Sequence, residues 1–213
     1  FFDLSQKIEN GMTYIPDDPQ PRIIPDVYQG SVAWKVSELH LGSHSGTHID
    51  AAAHYIKGGK TIDQYSPERF IISGIVVALP GLHEDESITP DRLENALKKL
   101  PKGGALVLRT DWDQYWGQPK YMENPFLSPE SAQKIVEAGA SLVGIDALNI
   151  DSTVQDGTKA HEILLGNDVL VVENLTGLGQ LSPDRLYCFS FLPLLLPGID
   201  GSPIRAIAWE EPT

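Results

Sequence analysis

Cysteine, methionine and positive charge are scarce in this chain: one cysteine, two methionines, and 16 lysines and arginines against 29 acidic residues. A single cysteine, Cys188, excludes an intrachain disulfide and any cysteine-rich zinc site. Its neighbours Leu186, Tyr187, Phe189 and Phe191 make it a buried core residue rather than a reactive thiol. The net charge of −13 argues against nucleic acid or an anionic membrane surface as partner. Long apolar runs are missing too: the longest, Phe191–Leu196, is interrupted by Pro193, so no membrane span is expected. The chain opens on Phe1 without a basic and then hydrophobic leader, so a cytoplasmic protein is expected, with a leader removed ahead of Phe1 left open. No Gly-x-Gly-x-x-Gly and no phosphate loop supports nucleotide binding. Ser43 and Ser45 lack a Gly-x-Ser-x-Gly elbow, which argues against a covalent serine route.

What is present is ordinary for a globular protein: 41% hydrophobic and 21% charged residues in 213. That length fits one domain over residues 1–213 and suffices to bury a single core. Phe1–Met12 supplies a first short strand, and Pro16, Pro19, Pro21 and Pro25 then impose an irregular loop. Ser31–Leu41 alternates like a strand, with Val32, Trp34, Val36 and Leu39 as inward positions. Ser66-Pro67-Glu68 suits a short helical turn, and Ile71–Leu79 reads as a strand buried on both faces. Thr89-Pro90 opens a helix through Leu100 and Ser128-Pro129 one through Ala138, each followed by a strand, at Ala105–Arg109 and Leu142–Asp146. Between them, Asp111–Glu123 is polar and aromatic, either a surface loop pinned by its rings or a substrate lid or subunit contact. Asp200-Gly201 signals a turn before a last strand, Ile204–Trp209, which makes Asp200 a turn residue, with a place facing the site as the alternative. Helix–strand repeats of this kind predict an α/β protein, a layered domain with a mixed sheet flanked by helices.

Chemistry concentrates in Gly42–His54, which holds His44, His48, Asp50 and His54. Imidazole nitrogen and carboxylate oxygen are usual ligands for zinc, manganese or ferrous iron. Asp50 follows His48 by two residues, so an extended backbone sends both side chains to one side. Gly42 and Gly46 suggest a tight path that lets the side chains converge. A polar loop whose histidines face water is the alternative. Further on, Glu173 ends the apolar stretch Val169-Leu170-Val171-Val172, and His161 precedes a short helix. Side chains at strand carboxyl ends are often functional. On composition alone, a surface or helix histidine and a solvated strand terminus are the leading readings there, with the functional ones as alternatives.

Ser-Gly-Thr-His-Ile-Asp-Ala, framed by His44 and His54, resembles the His-x-Gly-Thr-His-x-Asp-Ala-Pro-x-His signature of the cyclase family of metal-dependent hydrolases. Bacterial-type kynurenine formamidases and isatin hydrolases belong to that family. One position departs: Ala52 stands where the family has proline. The likeness continues in Ala-His-Glu-Ile-Leu-Leu-Gly around His161, in Val-Val-Glu-Asn-Leu around Glu173, and in the terminal Leu-Pro-Gly-Ile-Asp-Gly-Ser-Pro segment. The resemblance implies the family's swivelling β/β/α-like architecture and a small-molecule substrate. It implies one or two divalent ions per chain, zinc ahead of manganese, in an assembly of two or four copies. Carried over, His44, His48 and Asp50 hold a first ion, and Asp50, His161 and Glu173 a second. His54 resembles the catalytic histidine, with a further ligand, or a hydrogen-bond partner of one, as the alternative. The implied reaction is hydrolysis of a small amide, formamide or cyclic amide. Lactone, ester or dehydration chemistry, and metal binding without turnover, are the alternatives. In the resembling formamidases a tryptophan precedes a proline and lines the substrate pocket; Ile15 precedes Pro16 here, so Ile15 is the substrate-binding candidate and the aromatic wall is missing. Tyr14 leaves the backbone in another direction.

Overall fold

A computed structural model describes residues 1–213 except 14, 17, 28–33, 184 and 211–213. In chain order the strands begin with β1 (Phe2–Asp3), β2 (Arg22–Ile24), β3 (Glu38–His40), β4 (His48–Asp50), β5 (Ile71–Ala78) and β6 (Ser87–Ile88). They continue as β7 (Ala105–Arg109), β8 (Phe126–Leu127), β9 (Leu142–Ile145) and β10 (Leu170–Glu173). The last are β11 (Leu186–Ser190), β12 (Gly201–Pro203) and β13 (Ile207–Glu210). Helices α1 (Pro90–Leu97), α2 (Pro129–Glu137) and α3 (Lys159–Gly166) lie between them.

Among the described residues nine strands form one sheet in the order β1-β13-β11-β5-β7-β9-β10-β4-β12. Its centre, β5-β7-β9-β10, is parallel, and both flanks are antiparallel. The chain is thus α/β with a mixed sheet. Alternation along the central strands divides the core. Leu106, Leu108, Val143 and Ile145 pack with Leu93 of α1, Ile135 of α2 and Leu164 of α3. Val107, Leu142 and Val172 join Phe189 and Ala208 of the antiparallel flank in a second cluster, because the sheet curls over itself. All three helices therefore lie on one face.

Helices α1 and α2 start where Thr89-Pro90 and Ser128-Pro129 predict. Pro90 and Pro129 occupy first-turn positions, and Ser128 Oγ accepts from Ser131 N–H at 3.1 Å. Thr89 makes no such bond; its hydroxyl donates to Asp91 Oδ1 at 2.5 Å instead. Helix α1 stops at Leu97, so Leu100, 9% exposed, packs from beyond the helix.

Several expectations need correction. Of the strand expected over 31–41, the described residues 34–41 hold only Glu38–His40, paired with β2 in a separate two-stranded ribbon. Trp34, Val36 and Leu39 point outward, 61%, 49% and 60% exposed, because no layer covers that ribbon among the described residues; Val32 and Tyr14 lie outside them. Cys188, on β11 beside the curled flank, is half-buried rather than fully buried. Gly201, expected in a turn, begins β12, and the last strand starts at Ile207. The Asp111–Glu123 loop is two 3-10 turns anchored by Trp112 and Tyr121, 2% and 0% exposed, so pinning by rings describes those two residues.

Candidate metal centre

The site grows from strand register. In the antiparallel pairing of β10 with β4, Glu173 lies opposite His48 and Val171 opposite Asp50. Opposite residues share a face, and so do His48 and Asp50, so one face carries all three functional side chains. On the other side of β4, β12 sets Gly201 opposite Asp50. A Cβ at Gly201 would lie 2.8 Å from Ile49 O and 2.9 Å from His44 Cε1, so His44 occupies the space that a side chain there would need. Gly46, at φ 66°, lets the chain turn between His44 and β4. His54 ends a 3-10 turn, Ala52–His54. Ala52 opens that turn and its N–H reaches the Tyr65 hydroxyl at 3.4 Å, a contact proline could not make. His161 sits inside the first turn of α3 rather than ahead of the helix.

All five expected ligands converge. His48 Nε2 is 3.3 Å from Asp50 Oδ1 and 3.4 Å from Glu173 Oε2. His161 Nε2 is 3.4 Å from Asp50 Oδ2 and 3.3 Å from Glu173 Oε1. His44 Nδ1 is closer to Asp50 Oδ1, at 2.7 Å. Asp50 is completely buried, and His48, His161 and Glu173 are nearly so. The far nitrogens of the two buried rings are engaged: His48 Nδ1 meets Gly46 O at 2.8 Å, and His161 Nδ1 meets Asp151 Oδ2 at 2.8 Å. Ile150 N–H donates to Glu173 Oε1 at 2.7 Å, which holds that carboxylate in place.

The donor set fits a divalent cation on three counts. Spacings of 3.3–3.4 Å between donor pairs are those of two ligand atoms that each lie roughly 2.0–2.1 Å from a cation. Rings whose second nitrogen bonds a carbonyl or carboxylate present the first one in a fixed tautomer, the usual support of a metal ligand. Finally, Asp50 and Glu173 are buried and have only histidines as recorded ionic partners among the described residues. Two buried carboxylates need positive charge nearby.

Burial opposes ionisation of Asp50, but His48 and then His44 outweigh it and hold the carboxyl well below its usual range. Burial acts the same way on Glu173, yet bonds from His161 and His48 lower it to about 2. His44 is raised to about 10: burial opposes the charge, and Asp50 and Asp200 overcome it. For His54 burial wins and the pKa falls.

Asp200, which turn-based reasoning ranked first as a turn-maker, faces the site instead. Its Oδ2 lies 2.8 Å from His44 Nε2 and 3.1 Å from His54 Nδ1. The His44 bond is the larger cause that lowers its pKa. Only the segment's resemblance hinted at it, since Asp-Gly otherwise signals a turn. Asp151 was missed; nothing local separates it from a loop aspartate. Ile15 does line the cavity over the centre, about 210 Å³ in volume, together with Tyr55, Asn174 and the clustered histidines. Tyr55 stacks on His161, with centroids 4.5 Å apart, and meets the His54 ring edge-on at 4.7 Å.

Fold and donor set define an α/β protein with a His/carboxylate centre suited to a divalent metal ion. Residues 2–152 match the Cyclase family model (Putative cyclase), which ends short of His161, Glu173 and Asp200. The chain belongs to that family. An uncharacterized protein of Methanocaldococcus jannaschii is 33% identical over 210 residues, 97% of each chain. A kynurenine formamidase of Bordetella petrii is 31% identical over 181 residues, 82% of this chain and 80% of that one. Isatin hydrolase A of Ralstonia solanacearum has the same fold, with a TM-score of 0.85 at 24% identity over 98% of this chain and 91% of the other.

Proposed function

We propose that this chain, acting as one domain over residues 1–213, is a metal-dependent hydrolase of a small amide, formamide or cyclic amide. The observation that carries the reading is the buried quartet His48, Asp50, His161 and Glu173 at metal-ligand spacing, with both rings locked from behind. His44, His48 and Asp50 would hold one ion, and Asp50, His161 and Glu173 a second. Zinc leads and manganese is the alternative, since both accept these donors. Once bound, such an ion supplies Lewis acidity toward a carbonyl oxygen and makes water more acidic. The similarity to a kynurenine formamidase supports the amide as the bond attacked.

His54 is the proton carrier. As water adds to the carbonyl carbon, the imidazole takes one of its protons. When the C–N bond breaks, the imidazolium gives that proton to the departing nitrogen, leaving a carboxylic acid and an amine. A pKa lowered by burial keeps the ring neutral, the form needed for the first step. Tyr55 braces the His54 ring and the His161 ring, so each keeps its orientation. Ile15 forms an aliphatic part of the cavity wall. The working enzyme is an assembly of two or four copies in the cytoplasm.

The test is to strip the protein of metal, restore zinc or manganese, and assay amides, lactams, lactones and esters. Metal-dependent turnover of an amide or lactam supports the reading. Turnover of esters or lactones alone, or metal binding with no turnover, would replace it.

A further inference from the structure

Asp200 touches two histidines with one oxygen, and neither contact belongs to the family signature around Gly42–His54. Oδ2 lies 2.8 Å from His44 Nε2 and 3.1 Å from His54 Nδ1, while the two rings lie face to face, 4.0 Å between centroids at 31°. A carboxylate only accepts, so each ring nitrogen facing it must carry a proton. Asp200 is placed for this by its backbone: its carbonyl accepts from Ala51 N–H at 2.8 Å, and Ile199 O accepts from Ile62 N–H at 2.8 Å. The next residue is Gly201, whose missing side chain admits the His44 ring. Asp200 is thus tied to the strand that carries Asp50.

We infer that Asp200 is a positioning residue that selects the tautomer of His54. His44 faces a carboxylate oxygen from both nitrogens, Nε2 toward Asp200 and Nδ1 toward Asp50 Oδ1 at 2.7 Å, so both carry protons in the metal-free protein and Asp200 selects no tautomer there. With a proton on Nδ1, neutral His54 keeps Nε2 as the nitrogen that accepts a proton from water. The inference rests on the proposed role of His54 for its kinetic consequence, and on geometry alone for the tautomer.

The experiment compares wild type with Asp200→Ala, and with Asp200→Ser should the alanine variant fail to fold, since serine also suits a turn. In the metal-free proteins, ring 15N–1H correlation spectra at a pH where His54 is neutral report its tautomer. The Nδ1–H form is expected in wild type and its loss in the variant. On the best amide substrate, kcat should fall roughly 10- to 100-fold with KM little changed, the usual effect of removing such a partner. Adding the substitution to His54→Ala should lower kcat no further, because residues acting through one another are not additive. An unchanged tautomer, or a multiplicative loss in the double variant, would sink the inference. If wild type hydrolyses no amide, the functional reading fails while the tautomer spectra still decide this one.

Discussion

Glu173 and His48 are direct partners across the antiparallel pairing of β10 and β4, with Glu173 Oε2 3.4 Å from His48 Nε2. Residues 125 positions apart in the chain therefore meet by hydrogen-bond register. A slip of one residue would turn Glu173 to the other face.

Metal binding should follow this geometry. Purified protein is expected to hold one or two divalent ions per chain, and His48→Ala and Asp50→Ala should each lower that content. Asp50 matters most, since His44, His48 and His161 all face its two oxygens. Emission spectroscopy on the variants checks this. Undiminished metal in both would remove the centre from these residues.

His54 should separate from the ligands. Its replacement by alanine is expected to keep the metal and to lower kcat roughly 10²–10⁴-fold, the usual worth of a general acid–base group. Should the ion leave with the ring, His54 is a ligand and the proton carrier lies elsewhere.

Gly201→Ala tests whether the site depends on an absent side chain. The added methyl would press on Ile49 O and on the His44 ring, at 2.8 and 2.9 Å. Because a backbone oxygen cannot yield easily, about 1–3 kcal/mol of stability should be lost. Denaturant melting with a metal assay reads both effects, and a variant as stable and as metal-rich as wild type would contradict the packing.

Asp146 should make stability fall at rising pH. Burial raises its pKa from 3.8 to about 7, against the lowering pull of bonds from Thr110 and Asp111. The folded state then holds a proton that the unfolded state has released, so this contribution is complete below pH 3.8 and is lost as pH rises through about 7. A shift of that size is worth on the order of 4 kcal/mol. Melting curves at pH 5 and 8 should show a smaller fall for Asp146→Asn than for wild type. Equal falls in the two proteins would assign the effect to other groups.

N-formylkynurenine is expected to be a poor substrate. Ile15 lies on the cavity wall, an aliphatic residue where the family resemblance implies an aromatic one. A lost aromatic contact costs about 0.5–1.5 kcal/mol, roughly threefold to tenfold in affinity. Some other small amide or cyclic amide should be turned over better. A kcat/KM for N-formylkynurenine above about 10⁵ M⁻¹s⁻¹ would reverse this expectation.

Local order wrote much of this molecule into the sequence. Ser128-Pro129 starts a helix because an N-cap oxygen and a fixed φ act within one turn. His48 and Asp50 face the same way because alternation in a strand has period two. The signature around Gly42–His54 carries a whole set of donors within 13 residues, so its chemistry needs no fold to be read. Trp34, Val36 and Leu39 show the limit: alternation marks a strand face, but whether that face is covered depends on a layer that the local sequence does not contain. Asp200 and Asp151 mark it at the site itself. Each looks like an ordinary loop aspartate, and each meets its histidine only after chain segments 10 to 156 residues apart have been brought together. Asp151 reaches His161 by accepting from the Ala160 and His161 N–H groups at the start of α3, whereas register across β4 and β12 brings Asp200 to His44, because hydrogen-bonded pairing fixes which distant residues stand opposite one another.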